Sequence, residues 1–496
     1  MIWANLLHFY QPAGQKKQIV DAITAQCYRP VVEGLLQHPQ AKITVNFTGV
    51  LLEQLAQYGH TDVIELWKEA VRRGQVELVS SAKFHVILPL LPVAEARRQI
   101  EIHNEVNRRY FGDLFQPRGI FLPEMAWSPE LAPVLEAMGL AWVMLDELAY
   151  NGKVGAVDYA TTYRVQGTKL GVYFREHRLS ATIMSAAPRE VERLKDAART
   201  EAGSHRYIVT GMDGETFGHH RVGHEQLLFG MFADPDIEMV RLSDIAGRFR
   251  NQPTEVPTIA CTWASSADDL AKGVPFISWN DPTNQIHELQ WKLLHLAVRE
   301  MKQMKPGDAG YERLRAKLDN AVSSDQFFWA AAKPWWMIEH IERGAYELLD
   351  VLQHIPTSGP KIAEQGLALY HEIMATAYDW QRSGKIDRMA ADRRERVRVP
   401  FKEKTLDGGD EATWQAILDL LRAQEAAAKD RGDYEEAILW RDAAYKLEHK
   451  LDVYDSWYIL DVLNHRLPKG KVEETIQQYR ADYDRIRGGQ VEQRSN

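Results

Sequence analysis

The sequence predicts an α/β protein, with a parallel strand–helix barrel over residues 1–300 and an α-helical bundle over 301–496. Three observations carry this reading. Short apolar runs at 2–7, 43–47, 76–79, 119–122, 142–145, 172–174, 207–210 and 258–262 alternate with helical patterns such as 63–73 and 94–109. Strands alternating with helices imply a parallel sheet, and this many units in so short a stretch suit a barrel better than an open doubly wound sheet. Beyond residue 300 the strand signal stops. Helical patterns at 321–339, 361–384, 411–430, 433–450 and 452–467 follow, broken at Pro356, Gly359-Pro360, Gly408-Gly409 and Pro468.

The first strand begins almost at Met1, with no basic stretch leading into an apolar core, so the expected mature start is at or near Met1. The second half carries a basic run, Arg393-Arg394-Glu395-Arg396, which reads as a solvated helix face, and the residues from Gly488 onward read as a frayed tail. A net charge of -9 argues against nucleic-acid and anionic-membrane partners, which need basic surfaces. No apolar run reaches the roughly 20 residues of a membrane span. Cys27 and Cys261 are far apart and in no metal-type spacing, which excludes a disulfide framework and points to a reducing, cytoplasmic setting. No cofactor is expected, and the oligomeric state is not readable.

What ends each strand is more informative. His8 and Gln11 follow the first, Thr48 the second and Ser80-Ser81 the third. Pro123-Glu124 end the fourth, Asp146-Glu147 the fifth, Arg175-Glu176 the sixth, Asp213-Gly214-Glu215 the seventh and Trp263 the eighth. In a parallel barrel the carboxyl ends of all strands share one rim, so these residues converge. Glu124 follows a proline that stiffens the chain, and Trp127 offers a flat surface of the kind sugar rings stack against. A Glu there could cap the next helix, but Ser128, with Pro129 behind it, is the better cap. Asp213 and Glu215 sit in a glycine-flanked turn that could be a plain surface turn or, with Glu124, a working carboxyl pair. Glycosidic hydrolysis needs such a pair: one group protonates the leaving oxygen and the other attacks the anomeric carbon or activates water. The 14 Trp residues suit either an aromatic cleft or a core.

These segments resemble glycoside hydrolase family 57. Leu7-His8-Phe9-Tyr10-Gln11-Pro12 is similar to its first signature. Gly74-Gln75-Val76-Glu77-Leu78-Val79-Ser80-Ser81 is similar to its second, continued by Phe84-His85. Leu122-Pro123-Glu124 is similar to the third, Asp213-Gly214-Glu215-Thr216-Phe217-Gly218 to the fourth, and Trp279-Asn280 with Asn284 and His287 to the fifth. The resemblance implies an incomplete (β/α)₇ barrel, a helical region that contributes to the cleft, and an α-glucan substrate. It implies retaining double displacement with Glu124 as nucleophile and Asp213 as acid/base. It also implies substrate contacts at His8, Gln11, His85, Trp127, Glu215, Trp263, Trp279 and Asp325, the last in Ser323-Ser324-Asp325-Gln326-Phe327-Phe328-Trp329. Glu215 would tune Asp213 by like-charge repulsion. The first signature departs from the His-x-His-x-Pro form of the family's branching enzymes, which argues against branching. No β-rich region like that of the larger glucanotransferases follows.

The alternatives are a 4-α-glucanotransferase on the same site, a metal-dependent deacetylase or α-mannosidase-like enzyme, and a non-catalytic glucan-binding protein. His219, His220 and His224 motivate the metal reading, with His220 and His224 spaced as in helical zinc sites.

Overall fold

The computed structural model describes residues 1–186, 188–202, 205–249, 252–333, 335–389 and 411–449, with Leu463, 467–468, 471–472 and 474–475. The Arg393–Arg396 run, the Gly408-Gly409 break, the tail from Gly488 and all of the expected 452–467 helix except Leu463 and Leu467 lie outside them. Two compact units divide the chain, Met1–Met389 and Ala390–Asn496.

In the first unit the strands are β1 (Ile2–Phe9), β2 (Ile43–Phe47), β3 (Val76–Leu78), β4 (Gly119–Phe121), β5 (Trp142–Asp146), β6 (Tyr163–Val165), β7 (Gly171–Arg175), β8 (Ile208–Asp213), β9 (Glu238–Val240) and β10 (Thr254–Val256). Two ladders form, β3-β2-β1-β8 with β9 on β1, and β10-β6-β7-β5-β4. They meet at two seams. Ser80 donates to Gly119 O at 2.9 Å and accepts from Phe121 N–H at 3.0 Å, while Glu176 N–H donates to Val209 O at 2.7 Å. Strands β8, β1, β2, β3, β4, β5 and β7 therefore run parallel round an incomplete (β/α)₇ barrel, as expected. Strands β1 and β2 are buried on both faces, which explains why they read as unbroken apolar runs rather than alternating ones.

The expected strand at 258–262 does not form. Cys261 instead exchanges backbone hydrogen bonds with Trp127, fastening the loop after β4, and the ladder is extended by β10. Strands β6 and β9, three residues each, are too short to stand out from loop sequence.

Strands give way to helices at Gln285–Met301, and Tyr311–Ala321, Ile338–His354 and Pro360–Arg382 belong to the same compact unit as the barrel. The expected helix at 321–339 is broken: Tyr311–Ala321 ends, a four-residue helix Asp325–Phe328 follows, and Ala332 takes a left-handed φ of 53° before Ile338. A buried ion network ties the helices to the barrel. Arg315 pairs with Glu95 at 2.8 Å and with Asp319 at 2.8 Å, and Asp319 also holds Arg98 at 2.6 Å. Removing one partner would strand a buried charge, at a cost of roughly 3–5 kcal/mol.

In the second unit, Glu411–Asp430 and Tyr434–His449 form a helical hairpin over left-handed Gly432 and bury Trp440 among Leu421, Ala443 and Leu447. Among the described residues no helix is long and apolar enough to cross a membrane.

Candidate active site

The rim is built from neighbouring strands in register. His8 of β1 lies opposite Asn46 of β2 and Asp213 of β8, so three polar side chains share one layer of an apolar barrel. His8 Nδ1 lies 2.7 Å from Asn46 Oδ1 and so carries the hydrogen, which leaves Nε2 as a buried acceptor with no partner among the described residues. Burial lowers its pKa to about 4, so the ring stays neutral and can accept from a hydroxyl. Phe121, His8, His85 and Tyr10 form a column, with centroids 4.4 Å apart for Phe121–His8, 5.2 Å for His8–His85 and 4.1 Å for His85–Tyr10.

Glu124 stands beside this column, with its Oε1 3.8 Å from His85 Nε2. Its backbone is left-handed (φ 59°, ψ 15°), Met125 follows at φ 47°, and His85 itself sits at φ 54°. Such conformations cost non-glycine residues energy and persist where the surroundings over-determine them. Trp263 is what holds Glu124. Its backbone N–H donates to Glu124 O at 3.1 Å, and its indole N–H donates to Oε2 at 2.7 Å. Burial, then the neighbouring Asp213, push the Glu124 pKa up to about 8, against the Trp263 hydrogen bond; the Asp325 charge adds to the rise.

Asp213 closes β8 in ordinary extended backbone (φ -60°, ψ 127°). Burial raises its pKa to about 6, moderated by the Arg175 guanidinium. Arg175 is itself fixed, donating to Asp146 Oδ2 and to Gly211 O, both at 2.7 Å, and lying 5.7 Å from the Trp263 ring. Glu215 Oε1 accepts from Tyr28 O–H at 2.7 Å and from Tyr10 N–H at 3.2 Å. Its pKa is also near 8, through burial and Asp213. The three carboxyls thus crowd one site: Asp213 ionises first, and its charge helps Glu124 and Glu215 keep their protons near neutral pH.

Asp325 joins the same group from the helical segment, accepting from Tyr10 O–H at 2.7 Å, while Ser324 donates to His85 O. Asp325 also lines a pocket with Pro12, Asn320, His340, Arg343 and Glu347 among others. Gln11 is buried and accepts from Gln15 Nε2 at 3.1 Å.

Two expected substrate contacts are corrected. Trp127 is fully buried with its indole N–H on Thr258, and Trp279 is 1% exposed and stacked on Phe328, so neither offers a face to a sugar. The fifth-motif residues do structural work: Asn284 caps the Gln285–Met301 helix and donates to Ala330 O, and His287 sits between Asp281 N–H and Phe327 O. Ser128 occupies the cap position with no side-chain cap bond, because its hydroxyl donates to Glu130. The case for Glu124 therefore rests on Trp263 and Asp213, not on capping. His220 precedes the Glu225–Ala233 helix and His224 only begins it, with Nε2 2.8 Å from Ile183 O. Among the described residues, no group of three His, Cys, Asp or Glu side chains is placed to hold a metal ion.

Sequence reasoning passed over Tyr10, Tyr28, Asn46 and Arg175 as site residues. Asn46 carried a signal, being an amide inside the apolar run of β2. Tyr28 carried none, since its partner is distant in sequence.

A parallel barrel with coupled carboxyls and neutral histidines at the carboxyl rim of its strands is the class of protein this fold and site define. The profile of glycosyl hydrolase family 57 matches residues 5–259, and the chain belongs to that family. Alpha-amylase 1 from Dictyoglomus thermophilum is 31% identical over 216 residues, covering 43% of this chain and 31% of that protein. A 4-alpha-glucanotransferase from Thermococcus kodakarensis is 30% identical over 141 residues, 28% of this chain and 21% of that protein. The chain thus matches about a third or less of the length of these curated relatives. The structure of a family 57 branching enzyme from Thermococcus kodakaraensis shares the fold, with a TM-score of 0.58 at 17% identity, over 74% of this chain and 94% of that one.

Proposed function

We propose that this protein cleaves α-glucans with retention of configuration, by double displacement at Glu124 and Asp213. The observation that carries the reading is the pair itself: two half-buried carboxyls, one just after β4 and one at the end of β8, near enough for the Asp213 charge to raise the Glu124 pKa. In the first step Glu124 attacks the anomeric carbon while Asp213 gives its proton to the leaving oxygen. In the second, Asp213 takes a proton from the incoming hydroxyl, whose oxygen displaces Glu124. Water as acceptor gives hydrolysis, and a sugar hydroxyl gives 4-α-glucan transfer. Asp325 and the polar side chains that line the pocket beside it, Asn320, His340, Arg343 and Glu347, are the candidates to meet a neighbouring sugar unit.

Glu124, at about 8, binds its proton more tightly than Asp213, at about 6, the reverse of what these roles need. Substrate must therefore move the shared proton from Glu124 to Asp213. This order favours a second reading, with Asp213 as nucleophile and Glu124 as acid. Azide rescue separates the two on maltooligosaccharides. An alanine variant of the nucleophile yields a glycosyl azide of inverted configuration, and one of the acid/base yields a retained azide. Glu124→Ala giving the retained product would reverse the roles. Longer as well as shorter products from the wild type would indicate transfer, and shorter ones alone hydrolysis.

A further inference from the structure

Between the helices Lys17–Ile23 and Arg29–Gln37 lies a π-helical turn, Thr24–Tyr28. An i→i+5 turn admits one extra residue and so re-aims the side chains after it by about 100°. Here the re-aimed residues meet the acid/base loop one after another. The Gln26 side-chain oxygen lies 2.7 Å from His219 Nδ1, Cys27 Sγ donates to Gly214 O at 3.2 Å, and Tyr28 O–H donates to Glu215 Oε1 at 2.7 Å. The Gln26 carbonyl also lies so close to Gly218, at φ +107°, that a Cβ there would come within 2.0 Å of it. Three consecutive residues of one π-turn thus hold the loop that runs out of Asp213. Cys27, Tyr28, Gly214 and Glu215 are all buried.

We propose that the π-turn is the mount of the acid/base loop and that Tyr28 is a positioning residue, acting on Asp213 through Glu215 and the loop backbone. This rests on the assignment of Asp213 above. The groups facing Glu215 are Asp213 on its own loop, Tyr28 and Cys27 on the π-turn, and Tyr10 N–H from the end of β1; Glu225 lies beyond Cys27. Of these, the Tyr28 hydroxyl and the Tyr10 N–H meet the same carboxylate oxygen, and the backbone N–H of Glu215 itself also favours the anion. Losing the hydroxyl leaves the Glu215 anion with backbone donors alone. Its proton is then held more tightly, and the loop loses its central anchor.

Tyr28→Phe in the full chain tests this, alongside Glu215→Gln, which identifies the Glu215 signal in a ¹³C-carboxyl titration. The expected result is an upward move of the Glu215 titration by about one pH unit. With maltoheptaose, kcat should fall about tenfold while KM stays within about twofold. Tyr28→Phe in the Glu215→Gln background should add little. An unmoved Glu215 titration would overturn the proposal, as would full kcat or a fall in activity matched by equal losses in KM and melting temperature. If wild type and Glu124→Gln prove equally inactive on maltooligosaccharides, the reaction reading fails instead, and the Glu215 titration alone decides whether the mount stands.

Discussion

Glu124 and Asp213 are held in opposite ways. Glu124 sits in a left-handed backbone that a glutamate would not choose, between a proline and a second left-handed residue, with Trp263 bonded to both its backbone and its carboxylate. Asp213 has relaxed backbone, and among the described residues no hydrogen-bond donor meets its carboxyl. A nucleophile must approach one carbon along one line, and an over-determined position suits the role proposed for Glu124. A group that gives a proton and takes one back is served by a carboxyl that no fixed donor commits to the anion.

The largest expected effect breaks the comparison outright. Glu124→Gln should lower kcat on maltooligosaccharides by at least about 10³-fold, whatever the leaving group. Asp213→Asn should cost about 10²–10⁴-fold on the same substrates, yet most of kcat/KM should return on a nitrophenyl maltoside, whose leaving oxygen needs no proton, while kcat stays low because the second step still lacks its base. Equal losses of kcat/KM on both substrates would remove the distinction between the two carboxyls.

Trp263→Phe keeps the ring and deletes the indole N–H. The bond it removes lowers the Glu124 pKa, so the variant's value rises above about 8. Glu124 must be ionised to attack, so the acid limb of the kcat profile should move toward higher pH by about one unit, with kcat down about tenfold. An acid limb that stays in place would show that Trp263 only packs.

The smallest effect is on stability. Glu215 has a folded pKa of about 8, above the ordinary glutamate value of 4.5. Between these values the folded chain keeps a proton that the unfolded chain has released, so its contribution is full below about pH 4.5 and is lost as pH rises toward 8. Glu215→Gln should therefore melt about 2 °C above wild type at pH 8 and level with it at pH 4. The opposite pH dependence would mean that Glu215 is ionised in the folded chain throughout this range.

Much of the rim was legible because strand ends are legible. His8, Glu124 and Asp213 each interrupt or follow an apolar run, and parallel topology does the rest. The helical approach of Asp325 was readable only through the resemblance, since a short helix after a break leaves no periodic trace. Trp127 and Trp279 misled because tryptophan abundance does not distinguish a cleft from a core, and both indoles lie in the core. Tyr28 was invisible for a different reason. A single inserted residue in a helix changes direction without changing composition, and its partner Glu215 is 187 residues away.

The two seams of the barrel have a mechanical meaning. Glu124 follows a strand of one ladder and Asp213 ends a strand of the other, so the gap between these two carboxyls is spanned not by any continuous sheet but by the contacts at Ser80 and Glu176. Shear between the ladders changes that gap. The amide protons of Phe121 and Glu176 close those seams. Their exchange with solvent deuterium is thus a gauge of how firmly the catalytic distance is clamped, readable with no substrate present.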